Sequence, residues 1–250
     1  MTTIERVYSK AEKTQRMYAR FAGFLFLWLI ITGLAGALTI SHIVGSGTFA
    51  ETAKRVVASE HLYRVALCSE LIETLSALLL AFALYVTLKP VDKILAQLAM
   101  YWRLGESLIG GMGMIFGYVK LGLYTSPQSM GALGTDQSQA LVDVTRHAGF
   151  AEYNISAIFF SIGSILFFYL FFKSRYIPRI QSTFGVFASV IVTITCFGSL
   201  IFPEHAATLQ YGWVPMAIAE VTTGIWLMLF AVKTQARSDQ QSARPAVIRS

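Results

Sequence analysis

Lys89-Pro90-Val91-Asp92-Lys93 separates two apolar stretches, Leu62–Leu88 and Ile94–Lys120, and the reading of this break decides the fold. Each stretch exceeds the ~20 residues that a helix needs to cross ~30 Å of hydrocarbon. Proline lacks an amide hydrogen and restricts the residue before it, so the first helix should stop there and the second fold back antiparallel. The pair is unusual in its ionisable content. Glu60 and Arg64 stand at its outer end, with Glu70 and Glu73 inside the first helix and Arg103 and Glu106 inside the second.

Working outward from this hairpin, four more apolar runs occur at Phe21–Ile43, Phe150–Phe172, Gln181–Phe202 and Tyr211–Val232. None alternates with the period of two that a barrel strand shows, and lipid permits only helices and closed barrels to cross it. The expected fold is all-α, a polytopic membrane bundle of six transmembrane helices occupying residues 21–232. A basic N-terminus is expected over residues 1–20 and a disordered tail over 233–250, where Ser, Gln and Arg dominate. A short helix along the outer surface, within 121–149, is expected to feed the fourth span. Ala35-Gly36-Ala37 is like a signal-peptidase site, but the apolar run continues past it and the basic region before it is long. A retained helix is expected.

Composition agrees. The 250 residues are 55% hydrophobic and only 14% charged, with a mean hydropathy of +0.57, which leaves more apolar surface than a soluble domain can bury. The net charge of +6 does not indicate nucleic acid, because the basic residues fall between apolar runs instead of forming one face. They mark orientation instead. Of 20 Lys and Arg, 14 lie in the N-terminus, the 89–93 and 173–179 turns and the tail, and only Lys54, Arg55 and Arg146 in the opposite connections. The positive-inside rule then places both termini in the cytoplasm, and the expected location is a cell inner membrane. The lipid bilayer is the first expected partner. Cys68 and Cys196 lie inside apolar runs with no CxxC or Cys/His spacing, so they read as small buried hydrophobes.

The order of several short motifs carries a family resemblance. Ser59-Glu60-His61-Leu62-Tyr63-Arg64, Leu84-Tyr85, Leu88-Lys89-Pro90-Val91 and Trp102-Arg103-Leu104 come first. Phe159-Phe160, Tyr169-Leu170, Lys173-Ser174-Arg175-Tyr176-Ile177-Pro178-Arg179, then Glu220 and Trp226-Leu227 follow. Together they resemble, over about residues 15–235, the bacterial multi-pass membrane family named as domain of unknown function 4386. The resemblance implies an integral membrane protein and no assigned activity.

An Asp, Lys or Arg at mid-membrane costs roughly 2.5–3.5 kcal/mol on insertion scales, so such residues should turn inward and find partners. Glu70, Glu73, Arg103, Glu106 and Glu220 fall in the middle of their spans, while Arg64, Lys120 and Glu152 fall near the outer boundary. Glu70 with Glu73, and Arg103 with Glu106, are i, i+3 pairs that share a helix face. Arg103 is expected to neutralise one or two of Glu73, Glu106 and Glu220, and any surplus carboxyl to hold its proton. Arg64, Glu70, Glu73, Arg103, Glu106 and Glu220 are therefore the candidate ligand- or ion-binding residues. Two readings stay open: a satisfied interhelical network fixing register, as in an accessory or structural membrane subunit, or a pathway for a small polar solute, cation or proton.

The glycines of the third span, from Gly105 to Gly117, read either as close packing or as a broken helix beside a cavity. His42, His61, His147 and His205 map to the outer boundary. They leave room for a haem- or metal-binding membrane enzyme, but no HExxH spacing supports one. No GxSxG motif, phosphate-cradling loop or dinucleotide fingerprint occurs, so no cofactor, no metal and no enzyme class is expected. The orientation is open to a direct check. Reporter domains inserted at residues 91 and 177 should score as cytoplasmic, and one at residue 205 as external; the reverse pattern contradicts the assignment.

Overall fold

The structure, a computed structural model, describes residues 3–126 and 134–232; the expected tail lies outside the described residues. Among the described residues every regular element is helical. The long helices are α1 (Thr3–Val44), α3 (Glu60–Leu88), α4 (Lys93–Thr125), α5 (Gly134–Ser174), α6 (Arg179–Ile201) and α7 (Val214–Phe230), with a short α2 (Phe49–Ala58) between α1 and α3. Six segments are long and apolar enough to cross a membrane, and the last of them begins in the short helical turns at Pro203 ahead of α7.

The ends of these helices follow from local chemistry. Asp92 caps α4 by accepting from the Leu95 N–H at 3.1 Å and also meets the Lys173 Nζ at 3.3 Å, which ties the two turns of that face together. The Leu95 amide first, and the Lys173 hydrogen bond second, hold its carboxyl below the ordinary range. This stabilisation is present above the unfolded-state value and is lost as pH falls through the folded one. At the other end of the bundle, Thr48 and Glu51 form a capping box that starts α2. Arg55 of α2 donates to the carbonyls of Ile43, Val44 and Ser46, so its guanidinium satisfies the open end of α1.

One feature departs from the sequence reading and a second adds to it. The segment expected to hold a separate surface helix is, from Gly134 onward, the first turns of α5 itself, which runs unbroken for 41 residues. It contains no proline, and polarity alone does not end a helix. Likewise α1 starts at Thr3, so the basic N-terminus, from Thr3 on, continues the first span. At ~1.5 Å per residue its 42 residues reach about 63 Å, well beyond the hydrocarbon thickness. Gln15, on this extension, donates to the Thr87 carbonyl at 2.7 Å and to the Tyr176 hydroxyl at 3.0 Å, clasping the ends of α3 and α5.

Packing divides into two apolar cores. The larger includes Ala22 and Phe26 of α1, Leu80 and Leu84 of α3, Ala99 of α4 and Phe167 of α5. The smaller, at the opposite end, gathers Ile43, Phe49, Val56, Leu67, Leu121 and Val142. Lipid is as apolar as these side chains, so close backbone approach matters more than burial in holding such helices together. Gly23 of α1 shows this: a Cβ there would stand 2.6 Å from both the Gly224 carbonyl oxygen and the Met228 amide nitrogen of α7. Gly23→Ala should therefore cost about 1–3 kcal/mol in thermal unfolding of the detergent-solubilised protein. Gly111→Ala, with nothing within 4 Å of the new methyl, should be neutral or stabilising.

Candidate functional site

Between the two cores lies a polar layer, and it can be traced helix by helix. On α3 the smaller core takes Tyr63 and Leu67, the larger takes Leu80 and Leu84, and Glu70, Glu73 and Thr74 fall between them. On α4 the order reverses, as an antiparallel neighbour requires: Ala96 and Ala99, then Arg103, Glu106 and Gly113, then Leu121 and Tyr124. This layer lines a half-open cavity of about 740 Å³. Five of the six spanning helices line it, α6 being the exception, and it brings together Glu70, Glu73, Glu106, Glu152 and Glu220. From Glu106 at its base to Lys120 at its upper end, α4 rises about 21 Å. The cavity thus extends from mid-span toward the end of the bundle that carries α2.

Arg103 stands at the base. Its side chain is 4% exposed, its Nε lies 3.0 Å from the Glu106 Oε2, and its guanidinium carbon sits 4.4 Å from the centre of the Phe160 ring. The short distance to Glu106 is not aligned as a hydrogen bond, so Arg103 Nε and Nη1 and Glu106 Oε2 are buried without a hydrogen-bond partner. The same positive charge also attracts Glu73 and Glu220. Among the described residues neither of those two carboxyls, nor Glu70 or Glu152, has an ion pair or hydrogen bond of its own. One guanidinium is therefore shared by three acids at the base, and two more acids line the walls above.

Small residues make room for these groups. A Cβ on Gly36 would stand 2.7 Å from the Glu70 Cγ, and one on Gly33 would stand 3.5 Å from the Glu73 carboxyl carbon. A Cβ on Gly113 would stand 2.5 Å from a Glu152 carboxylate oxygen, and one on Gly163 would stand 3.0 Å from the Arg103 Cγ. The glycines of α4 do not break the helix, which runs continuously from Lys93 to Thr125. Instead Gly110 and Gly113 form part of the cavity wall.

Of the residues marked from sequence, Glu70, Glu73, Glu106 and Glu220 line the cavity and Arg103 closes its base. Arg64 does not join them. It pairs with Glu60 at 2.6 Å along the exposed side of α3, the i, i+4 geometry of a helix surface. Glu152, Lys120, Arg146 and Trp213 also line the cavity, although sequence gave no reason to select them. A usable signal exists on α5, where Glu152, Ser156 and Phe160 recur at i, i+4, i+8 on one face. His42, His61, His147 and His205 are all exposed, and among the described residues no group of three His, Cys, Asp or Glu side chains could hold a metal ion.

The sequence model of the family described as domain of unknown function (DUF4386) matches residues 21–231. The chain belongs to this family. No curated protein and no solved structure matches it. The six apolar helices among the described residues make it a multi-pass membrane protein, and the family description brings no activity with it.

The Arg103 cluster makes a sharp energetic prediction. Arg103→Ala leaves the half-buried Glu106 without its ion-pair partner and should destabilise the protein by about 3–5 kcal/mol. Adding Glu106→Gln should recover part of that loss, because the second change removes a charge the first left uncompensated. Thermal unfolding in detergent checks both; an Arg103→Ala protein as stable as the parent would show that the cluster is not coupled.

Proposed function

We propose that this protein binds or translocates a small polar solute, cation or proton through the cavity, in the inner membrane, with both termini cytoplasmic and the cavity reached from the outer face. Arg103 acts as a fixed countercharge, and Glu73, Glu106 and Glu220 are the candidate ligands. One observation carries this reading: the mid-span acids share a cavity of about 740 Å³, within the size range of small-molecule sites, instead of being consumed in mutual pairs. Acid left unpaired at membrane depth is the usual mark of a solute or proton pathway.

The competing reading is an accessory membrane subunit whose charges only fix helix register. It is supported by the Arg103–Glu106 pair, which is internal to one helix and fully buried on the arginine side. It leaves Glu70, Glu73, Glu152 and Glu220 without a task. Keeping Glu70, Glu73 and Glu220 at mid-membrane depth costs free energy that this reading does not account for.

Reconstitution separates the two. Proteoliposomes should show proton, sodium or choline flux above that of empty vesicles. Glu73→Gln and Glu220→Gln should each lower that flux by roughly tenfold while size-exclusion profile and helical content stay unchanged. Absence of any flux or binding, with the same variants losing their fold, favours the accessory reading.

A further inference from the structure

Resting on the reading that the cavity takes a solute, we propose that its ligand is an organic cation, an amine or quaternary ammonium compound, seated between the carboxylates of Glu73 and Glu220 and the aromatic wall of Tyr153, Phe160 and Trp213. Charge gives the first argument. The cavity is lined by five carboxyl groups and by two bases, and of those bases Arg146 is already paired with Asp143 at 2.9 Å. At the base, Arg103 is engaged with Glu106. The acids with no ion pair of their own outnumber the bases available to them, so a cation that takes the place of the proton on such an acid is the complementary ligand.

The wall gives the second argument. Trp213 lies 5.8 Å from Tyr153 and 5.6 Å from Phe160, ring centre to ring centre, so three aromatic residues meet on one side of the cavity. Phe160 already holds a cation against its ring, the Arg103 guanidinium at 4.4 Å. Ring faces attract organic cations through their quadrupole and bind them without hydrogen bonds, which suits a quaternary ammonium group. A bare inorganic ion needs converging oxygen ligands, and among the described residues no three acidic, His or Cys side chains converge in that way. Dispersed carboxylates beside an aromatic wall fit a ligand of several ångströms across.

A third observation sits at the base. Glu106 lines the cavity, yet its Oε2 is buried without a hydrogen bond, beside the equally unbonded Nε of Arg103, whose side chain is 4% exposed. That pair is closed on itself at the base, which leaves Glu73 and Glu220 as the carboxyl groups on the cavity wall that meet the ligand.

The full-length protein in lipid nanodiscs, titrated calorimetrically with choline, with its uncharged dimethylbutanol isostere, with sodium and with acetate, tests the assignment. Choline should bind saturably and the isostere should not. Glu220→Gln should weaken choline by tenfold or more. Trp213→Leu should weaken it by roughly tenfold, and Trp213→Phe, which keeps a ring face, by about threefold at most. If Trp213→Leu does not fold, the Trp213→Phe and Glu220→Gln comparison still decides. Equal binding of choline and its isostere overturns the proposal. Preferential binding of sodium or acetate, lost in Glu220→Gln and untouched by Trp213→Leu, overturns the organic cation while leaving the cavity as a solute site. No saturable binding of any of these probes overturns both readings.

Discussion

A bilayer offers no water to an ionised side chain, and the whole arrangement answers that constraint. Charged groups at depth can only face one another or an internal space, and here they do both. Arg103 and Glu106 meet at the base of the cavity, while Glu70, Glu73, Glu152 and Glu220 line it. The apolar residues sort themselves around this layer, with Phe26, Leu84 and Phe167 on one side and Phe49, Leu67 and Leu121 on the other. Helices α1, α3, α4 and α5 therefore read core, polar layer, core along their length. The two cores hold the helices far enough apart in the middle for a cavity to persist.

Glycine placement makes the same point from the side of packing. In a membrane bundle small residues usually let two backbones touch, as Gly23 and Gly224 do between α1 and α7. Along the polar layer they serve differently, because Gly36, Gly113 and Gly163 each lie against a charged side chain of a neighbouring helix. A methyl at those positions meets Glu70, Glu152 or Arg103. Glu70, Glu152 and Arg103 thus have shaped recesses in which to lie, each dependent on the absence of a Cβ atom.

Much of this was legible in the chain because hydropathy and proline are strong signals. Pro90 and Pro178 stand at the two turns, and the helices end at Leu88 and Ser174, just before them. The sequence was misleading where polarity stood in for structure: residues 134–149 are polar, and yet they continue α5 because nothing in them breaks a helix. Glu70, Glu73, Glu106 and Glu220 were recognisable from the cost of burying them alone. Helix rotation was not. α3 is apolar nearly all round, so no stripe fixes which side faces inward, and Arg64 could be separated from its neighbours only by seeing it pair outward with Glu60. Glu152, Lys120 and Arg146 escaped because each lies near a span end, where a charge needs no explanation.

Access of water to the polar layer is the central claim, and adjacent positions on α3 test it most directly. Thr74 lines the cavity, whereas Leu75 is 53% exposed on the outer surface of the bundle, at nearly the same depth. In a background with Cys68 and Cys196 replaced by serine, Thr74→Cys and Leu75→Cys can be exposed to a membrane-impermeant maleimide in intact cells. Such reagents attack the thiolate, which forms in water and not in hydrocarbon. The account predicts labelling of Thr74→Cys and none of Leu75→Cys; equal labelling, or labelling of Leu75→Cys alone, would contradict it.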